Sequence, residues 1–198
     1  MEKALKDLIT NNFNESIEAK QKACLVLADP VYKAALLIVA TFKAGNKMLI
    51  CGNGGSAADS QHFAAEFTGR YEMERTPLPA VALTTDSSAL TAIGNDYSFD
   101  VVFSKQVEAL GNSNDILFAI STSGNSGNVI KAIEIAHKKG MKVITLTGRD
   151  GGKMLQMLQN GDVGINSPLT RTARIQETHL LVLHTLCDVI DNAMFKLA

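Results

Sequence analysis

Residues Ser121-Thr122-Ser123-Gly124-Asn125-Ser126 place four hydroxyls between an apolar run and a helical pattern that begins near Val129. Hydroxyls together with free backbone N–H groups at a helix N-terminus suit a phosphate dianion. No Lys or Arg lies in this loop, so it fits one phosphate monoester better than a polyphosphate. Ser126 taken alone would serve simply as an N-cap; the cluster of hydroxyls points to phosphate.

A second loop, Gly52-Asn53-Gly54-Gly55-Ser56, follows the apolar run Met48-Leu49-Ile50 and leads into another helix. With Ala57 it matches a loose dinucleotide fingerprint, which is weak evidence alone. The ribose-binding acid should stand about 20 residues on, whereas the second strand ends at Asp86, more than thirty residues on. No G-x-x-x-x-G-K-[ST] occurs either. No nucleotide cofactor is expected.

His62 and Glu66 stand at i and i+4 on the helix that this loop opens. That spacing can hold a metal or pair a carboxylate with a proton shuttle, although such pairs are commonly solvated surface pairs. Gln176 and His184 interrupt an otherwise apolar C-terminal helix, and a polar group on a buried helix needs partners. They lie about 80° apart around the helix and ~12 Å along it, so one chain need not supply both to one site. Asp188, four residues after His184, is placed to orient its ring. His179 and His137 read as ordinary structural residues. A phosphate loop, a carboxylate and an imidazole together suit proton transfer on a sugar phosphate: a base carries a carbon-bound proton through an enediol while an acid assists the oxygens.

These groups need a scaffold. Apolar runs at Lys47–Cys51, Ala80–Thr84, Ile116–Ser121, Val143–Thr147 and Val163–Asn166 read as strands, with helical patterns near 57–69, 97–110 and 127–139 between most of them. This alternation predicts an α/β fold, a five-stranded parallel sheet flanked by helices on both faces. Ligands then sit at the carboxyl ends of the strands, where both loops lie. Ahead of the sheet, Leu5, Leu8, Ile9, Phe13 and Ile17 recur at helical spacing, predicting a helix over 2–28. Asp29-Pro30 punctuates it, and a second helix runs to about Ala44, with Gly45 as its stop. The last helix, 173–195, carries Leu180, Leu181, Val182, Leu183, Leu186, Cys187, Val189 and Ile190. A helix apolar nearly all round must be covered on several sides, which predicts a homo-oligomer. A single domain over 1–198 is expected, with 1–45 as oligomerisation helices.

The chain of 198 residues carries a net charge of −1 and no basic block, so nucleic acid and anionic membrane are poor partners. The N-terminus lacks the apolar core of a signal peptide. The apolar stretch around 34–40 is far short of the ~20 residues of a span. Cys24, Cys51 and Cys187 are odd in number and show no CxxC spacing, consistent with reduced thiols in the cytoplasm.

CGNGGSAADSQHFAAEFTGRY, LTTDSSALTAIGNDYSF, AISTSGNSGNVIKAI, VITLTGRDGGKM and ARIQETHLLVLH resemble, in order and over essentially the whole chain, the bacterial phosphoheptose isomerases of the sugar isomerase (SIS) domain superfamily. The resemblance implies flavodoxin-like layering and a homotetramer with active sites between subunits. It also implies conversion of sedoheptulose 7-phosphate to glycero-manno-heptose 7-phosphate, for the heptose of lipopolysaccharide. By the same resemblance, Asn53, Gly54, Gly55 and Ser56 belong to the substrate loop, and Ser121, Thr122, Ser123 and Ser126 contact phosphate. Asn95, Asp96 and Gln176 are further substrate contacts. Glu66 is the implied base and His184 the implied acid, and His62, Glu66, Gln176 and His184 are implied zinc ligands, one ion per subunit. Ala173 stands where some members have an acid, whose role does not carry over. A non-catalytic branch that binds the replication initiator is the alternative. That branch lacks the glutamate and histidine matching Glu66 and His184, both present here.

Overall fold

A computed structural model describes residues 1–196. The chain begins with one long helix, α1 (Glu2–Lys43), and then alternates: β1 (Met48–Gly52), α2 (Gly55–Thr68), β2 (Ala80–Ala82), α3 (Ser87–Asp96), α4 (Val102–Leu110), β3 (Ile116–Ser121), α5 (Gly127–Lys138), β4 (Lys142–Gly148), α6 (Gly152–Gln156), β5 (Val163–Ser167) and α7 (Thr172–Asp191). The five strands are all parallel, in the order β2-β1-β3-β4-β5. The chain passes from β1 outward to β2, then returns to β3 on the other side of β1. The crevice at this reversal, outside the carboxyl ends of β1 and β3, is where ligands bind in open α/β sheets.

Both faces of the sheet are covered, which is why the central strands are apolar without alternation. Met48, Ile50, Phe118, Ile120 and Ile144 face a core closed by α1, α2 and α7. Leu49, Cys51, Leu117, Ala119 and Val143 face a second core closed chiefly by α4 and α5. Strand positions and the helices at α2 and α5 agree with the sequence reading to within a few residues.

Two expectations need correction. The break at Asp29-Pro30 does not occur, and Pro30 lies inside one continuous α1. Proline removes one helix hydrogen bond and costs about 3 kcal/mol in a helix interior. The stripe Ala23, Leu27, Val31, Ala34, Ala35 and Ile38 nevertheless runs buried through that point, and its packing outweighs the penalty. The helix read over 97–110 is instead a 3-10 turn at Phe99–Val101 leading into α4, and α3 precedes it as a separate helix absent from the sequence reading. Asp86 starts α3 by accepting a hydrogen bond from the Ala89 N–H (2.9 Å), an N-cap signal that the residues DSSA carry.

α1 contains an 18-residue window of mean hydropathy 1.9, long and apolar enough by composition to cross a membrane. Its inner side is core of this domain rather than lipid-facing, since Leu27, Val31 and Ala34 pack in one cluster with Val182, Leu186 and Ile190 of α7. Its outer side leaves Leu5, Leu8, Ile9, Phe13, Ile17 and Leu25 exposed.

Candidate active site

The switch point brings the two loops together. β1 ends at Gly52, and the chain turns through Gly54, whose backbone lies at φ +55°, ψ −120°, directly into α2. On the neighbouring strand, β3 ends at Ser121 and turns through Gly124 (φ +65°) into α5. A Cβ on Gly124 would collide with the Gly151 carbonyl, so this loop needs glycine both for conformation and for space. The loops are tied by paired amides: Asn53 Nδ2 donates to Asn128 Oδ1 (2.8 Å) and Asn128 Nδ2 to Asn53 Oδ1 (2.9 Å).

Ser126 occupies the N-cap position of α5 but makes no capping bond. Its hydroxyl turns inward to Ser121 Oγ at 2.9 Å, with Ser123 Oγ 3.5 Å from the same atom. Three hydroxyls thus converge beside a helix N-terminus whose first N–H groups have no side-chain cap. This arrangement can donate several neutral hydrogen bonds to one anion. Beyond Ser123, a cavity of about 570 Å³ is lined also by Asn125, Arg149, Asp150, Pro168 and Thr170.

A second group of side chains lies along α2 and α7. His62 Nε2 is 2.8 Å from His184 Nε2 and 3.3 Å from Glu66 Oε1. One ligand atom from each of the three residues lies within 4.8 Å of the others. Two imidazole nitrogens and a carboxylate oxygen converging this closely are a donor set that suits a divalent cation. The same atoms can also share protons. His62 is half exposed and Glu66 largely covered, so the cluster opens toward solvent through His62.

Gln176 lies at the other end of the helix pair, against the start of α2, where a Cβ on Gly55 would strike its amide. Gly55 meets Gln176 and His62 meets His184, so α2 and α7 run side by side in the same direction. One protomer therefore presents both Gln176 and His184 to α2, a little over two turns or ~12 Å apart. Asp188 does not orient His184; it accepts from Asn192 Nδ2 (3.0 Å). Asn95 and Asp96 sit exposed at the end of α3 and bond to each other (2.9 Å). Among the described residues, no hydrogen bond links them to either loop or to the cluster.

The two remaining histidines are structural. His179 is fully buried and donates from Nε2 to the Thr147 carbonyl (3.0 Å). Burial lowers its pKa to about 4, against the smaller opposing effect of that bond. His137 pairs with Asp162 at 2.8 Å, at the amino-terminal edge of the sheet. Cys51 and Cys187 are buried thiols, and burial pushes Cys51 up to about 12; neither offers a thiolate.

Two residues beside the cluster carry no spacing signal in the sequence. The Tyr71 ring lies 5.8 Å from the His184 ring, and burial raises its pKa, which keeps the phenol protonated. Asp59, one turn before His62, has Oδ2 buried without a partner. Burial raises its pKa, and His62 draws it partly back.

Comparison with known proteins agrees with this geometry. A family model described as SIS domain matches residues 12–148. A phosphoheptose isomerase from Neisseria gonorrhoeae is 58% identical over 192 residues, 97% of this chain and 98% of the relative. The solved structure of phosphoheptose isomerase from that organism superposes with a TM-score of 0.91 at 57% identity, over 95% of this chain and 99% of that one. A phosphoheptose isomerase structure from Francisella tularensis also gives 0.91, at 46% identity over 94% and 97% of the two chains.

Proposed function

The chain belongs to the phosphoheptose isomerase family of SIS-domain proteins, and we propose that it converts D-sedoheptulose 7-phosphate to D-glycero-D-manno-heptose 7-phosphate for lipopolysaccharide heptose biosynthesis. The observation that carries this reading is the meeting of Glu66 and His184, through His62, where the helix that opens from the crevice runs beside α7. The relatives' isomerase name agrees with that geometry. The non-catalytic alternative is not supported.

The residues divide the work by chemistry. Ser121, Thr122, Ser123 and Ser126 hold the 7-phosphate, with the first-turn N–H groups of α5 behind them. Asn53, Gly54, Gly55, Ser56 and Gln176 line the path of the sugar hydroxyls, with Asn95 and Asp96 as further substrate contacts. The Glu66 carboxylate takes a proton from C1 of the open-chain ketose, leaving an enediol. His184 assists by moving a proton at the C1 and C2 oxygens. Return of a proton to C2 leaves the aldehyde at C1, so the isomers differ only in where two hydrogens sit.

His62, Glu66 and His184 of one subunit would hold a zinc ion, one per subunit, and Gln176, beside Gly55 and ~12 Å along α7 from His184, would join that set only from a neighbouring subunit. Zinc bound there supplies a Lewis acid that polarises the substrate oxygens. Support is the donor set itself, two imidazoles and a carboxylate within 4.8 Å.

The working form is a homotetramer in the cytoplasm, with 1–45 as oligomerisation segment. Supporting this are the exposed apolar side of α1, Leu180 and Leu181 exposed on α7, and an apolar groove of about 330 Å³ between these helices. The position of Asn95 and Asp96, apart from the cluster, agrees with sites completed across subunits.

Incubation with a panel of ketose phosphates, followed by NMR of aldose formation, tests the proposal. Aldose should form from the seven-carbon substrate in preference to shorter ones, and no aldose from any ketose phosphate would refute it.

A further inference from the structure

Arg75 lies in the segment between α2 and β2, and its side chain is only 1% exposed. Its guanidinium makes bonds in every direction it can. Nε donates to Asp191 Oδ1 (2.9 Å), itself 3% exposed, and NH2 donates to the Glu66 carbonyl (2.7 Å). NH1 reaches the carbonyls of Phe67 (2.9 Å), Gly69 (3.2 Å) and Thr76 (3.3 Å). Burying a guanidinium this completely is costly unless every contact is made.

The end of α2 explains why the contacts are needed. Gly69 follows the helix at φ −96°, outside the left-handed conformation that would close the final carbonyls by a backbone motif. Arg75 supplies the donors instead. It simultaneously reaches Asp191, seven residues beyond His184, which places the two residues on the same face of α7. One side chain therefore joins the Glu66 peptide to the helix that bears His184.

We propose that Arg75 is a positioning residue for the isomerisation: it fixes the Glu66 end of α2 against α7 and so sets the spacing of Glu66 and His184. This rests on the proton-transfer roles given above. Without the guanidinium, the Glu66 carbonyl and the Asp191 carboxylate face a dry interior, while the Phe67 carbonyl keeps the Leu78 N–H. Asp191 Oδ2 already lacks a hydrogen-bond partner. The last turn of α2 must then shift, and Glu66 shifts with it. The serine loop, on β3 and α5, makes no contact with Arg75, so phosphate binding stays.

Arg75→Lys keeps the charge but loses the planar fork; Asp191→Asn keeps an acceptor but removes the counter-charge. Both are compared with wild type in steady-state kinetics on sedoheptulose 7-phosphate, after circular dichroism confirms folding. A misplacement of about 1 Å can cost about 10²-fold. The expected result for Arg75→Lys is a fall in kcat of that order with KM changed less than about threefold, the pattern of a lost transition-state interaction. Asp191→Asn should fall in the same direction by less. Folded Arg75→Lys with wild-type kcat overturns the proposal, since a residue that only stabilises the fold would lower Tm and leave turnover alone. Should Arg75→Lys not fold, the kcat of Asp191→Asn decides by the same criterion. Inactive wild type would strike the isomerase reading instead. Affinity for Zn²⁺, measured by competition with a chromogenic chelator, then decides: weaker binding by Arg75→Lys supports the positioning role and unchanged binding refutes it.

Discussion

Ser126 shows how a residue can hold a conventional position and do something else. It stands at an N-cap, yet its hydroxyl points to Ser121, leaving the start of α5 open for an anion. A neutral hydrogen bond is worth about 0.5–1.5 kcal/mol, and about 1.5–3 with a charged partner. Ser121→Ala or Ser123→Ala should therefore raise KM about 10-fold or more, measured with the ketose phosphate as varied substrate; unchanged KM in both would place the phosphate elsewhere. His179 gives a separate, pH-linked expectation. Its folded pKa is about 4, below the unfolded value of about 6.5. The unfolded chain thus binds the extra proton first as pH falls. The stabilisation is complete above pH 6.5 and is lost progressively toward pH 4. Urea unfolding should show His179→Gln losing about 2–3 kcal/mol less than wild type between pH 7 and 4.5; equal losses would contradict a buried neutral imidazole. At this scale the sequence was informative where spacing is local. His62 and Glu66 are legible as an i, i+4 pair and the serines as a run. Arg75, Tyr71 and Asp59 are not, because their roles arise from contacts made after folding, such as the bond between Arg75 and Asp191 across 116 positions.

Among the elements, the strands were readable because burial on both faces makes each a short apolar run, and β3 matches its expected bounds residue for residue. α1 was misread because a local rule about proline competed with packing. Pro30 lies within the helix while Leu27, Val31 and Ala34 remain buried, so the tertiary contacts prevail. The penalty should still be recoverable. Pro30→Ala removes a cost of about 3 kcal/mol but returns about 1 kcal/mol of chain entropy to the unfolded state. A net gain of about 2 kcal/mol is expected in chemical denaturation, and a less stable variant would mean that the Pro30 ring makes packing contacts worth more than the lost hydrogen bond. The parallel course of α2 and α7 was equally invisible in sequence, since only the fold shows Gln176 beside Gly55 and His184 beside His62. That pairing makes Gly55 more than a turn residue, because any side chain there displaces Gln176.

For the whole molecule, the unresolved demand is cover for apolar surface. Leu181 is 45% exposed and Phe13 70%, on two helices that flank the same apolar groove. An assembly that buries these faces answers that demand. Light scattering at micromolar concentration should give a tetramer, and Leu181→Glu should shift it toward smaller species; a well-folded wild-type monomer would remove the argument for sites shared between subunits. The central claim, however, is that Glu66 carries a carbon-bound proton. Its most direct test is solvent-deuterium incorporation into the sugar phosphate, followed by NMR for wild type and Glu66→Gln. This variant keeps the size and hydrogen bonding of the side chain while removing the base. General acid–base help is worth about 10²–10⁴-fold. Wild type should place deuterium at the reacting carbons while forming aldose, and Glu66→Gln should bind the ketose phosphate yet lose exchange and turnover together by at least that factor. A Glu66→Gln protein that exchanges and isomerises at the wild-type rate would contradict the mechanism.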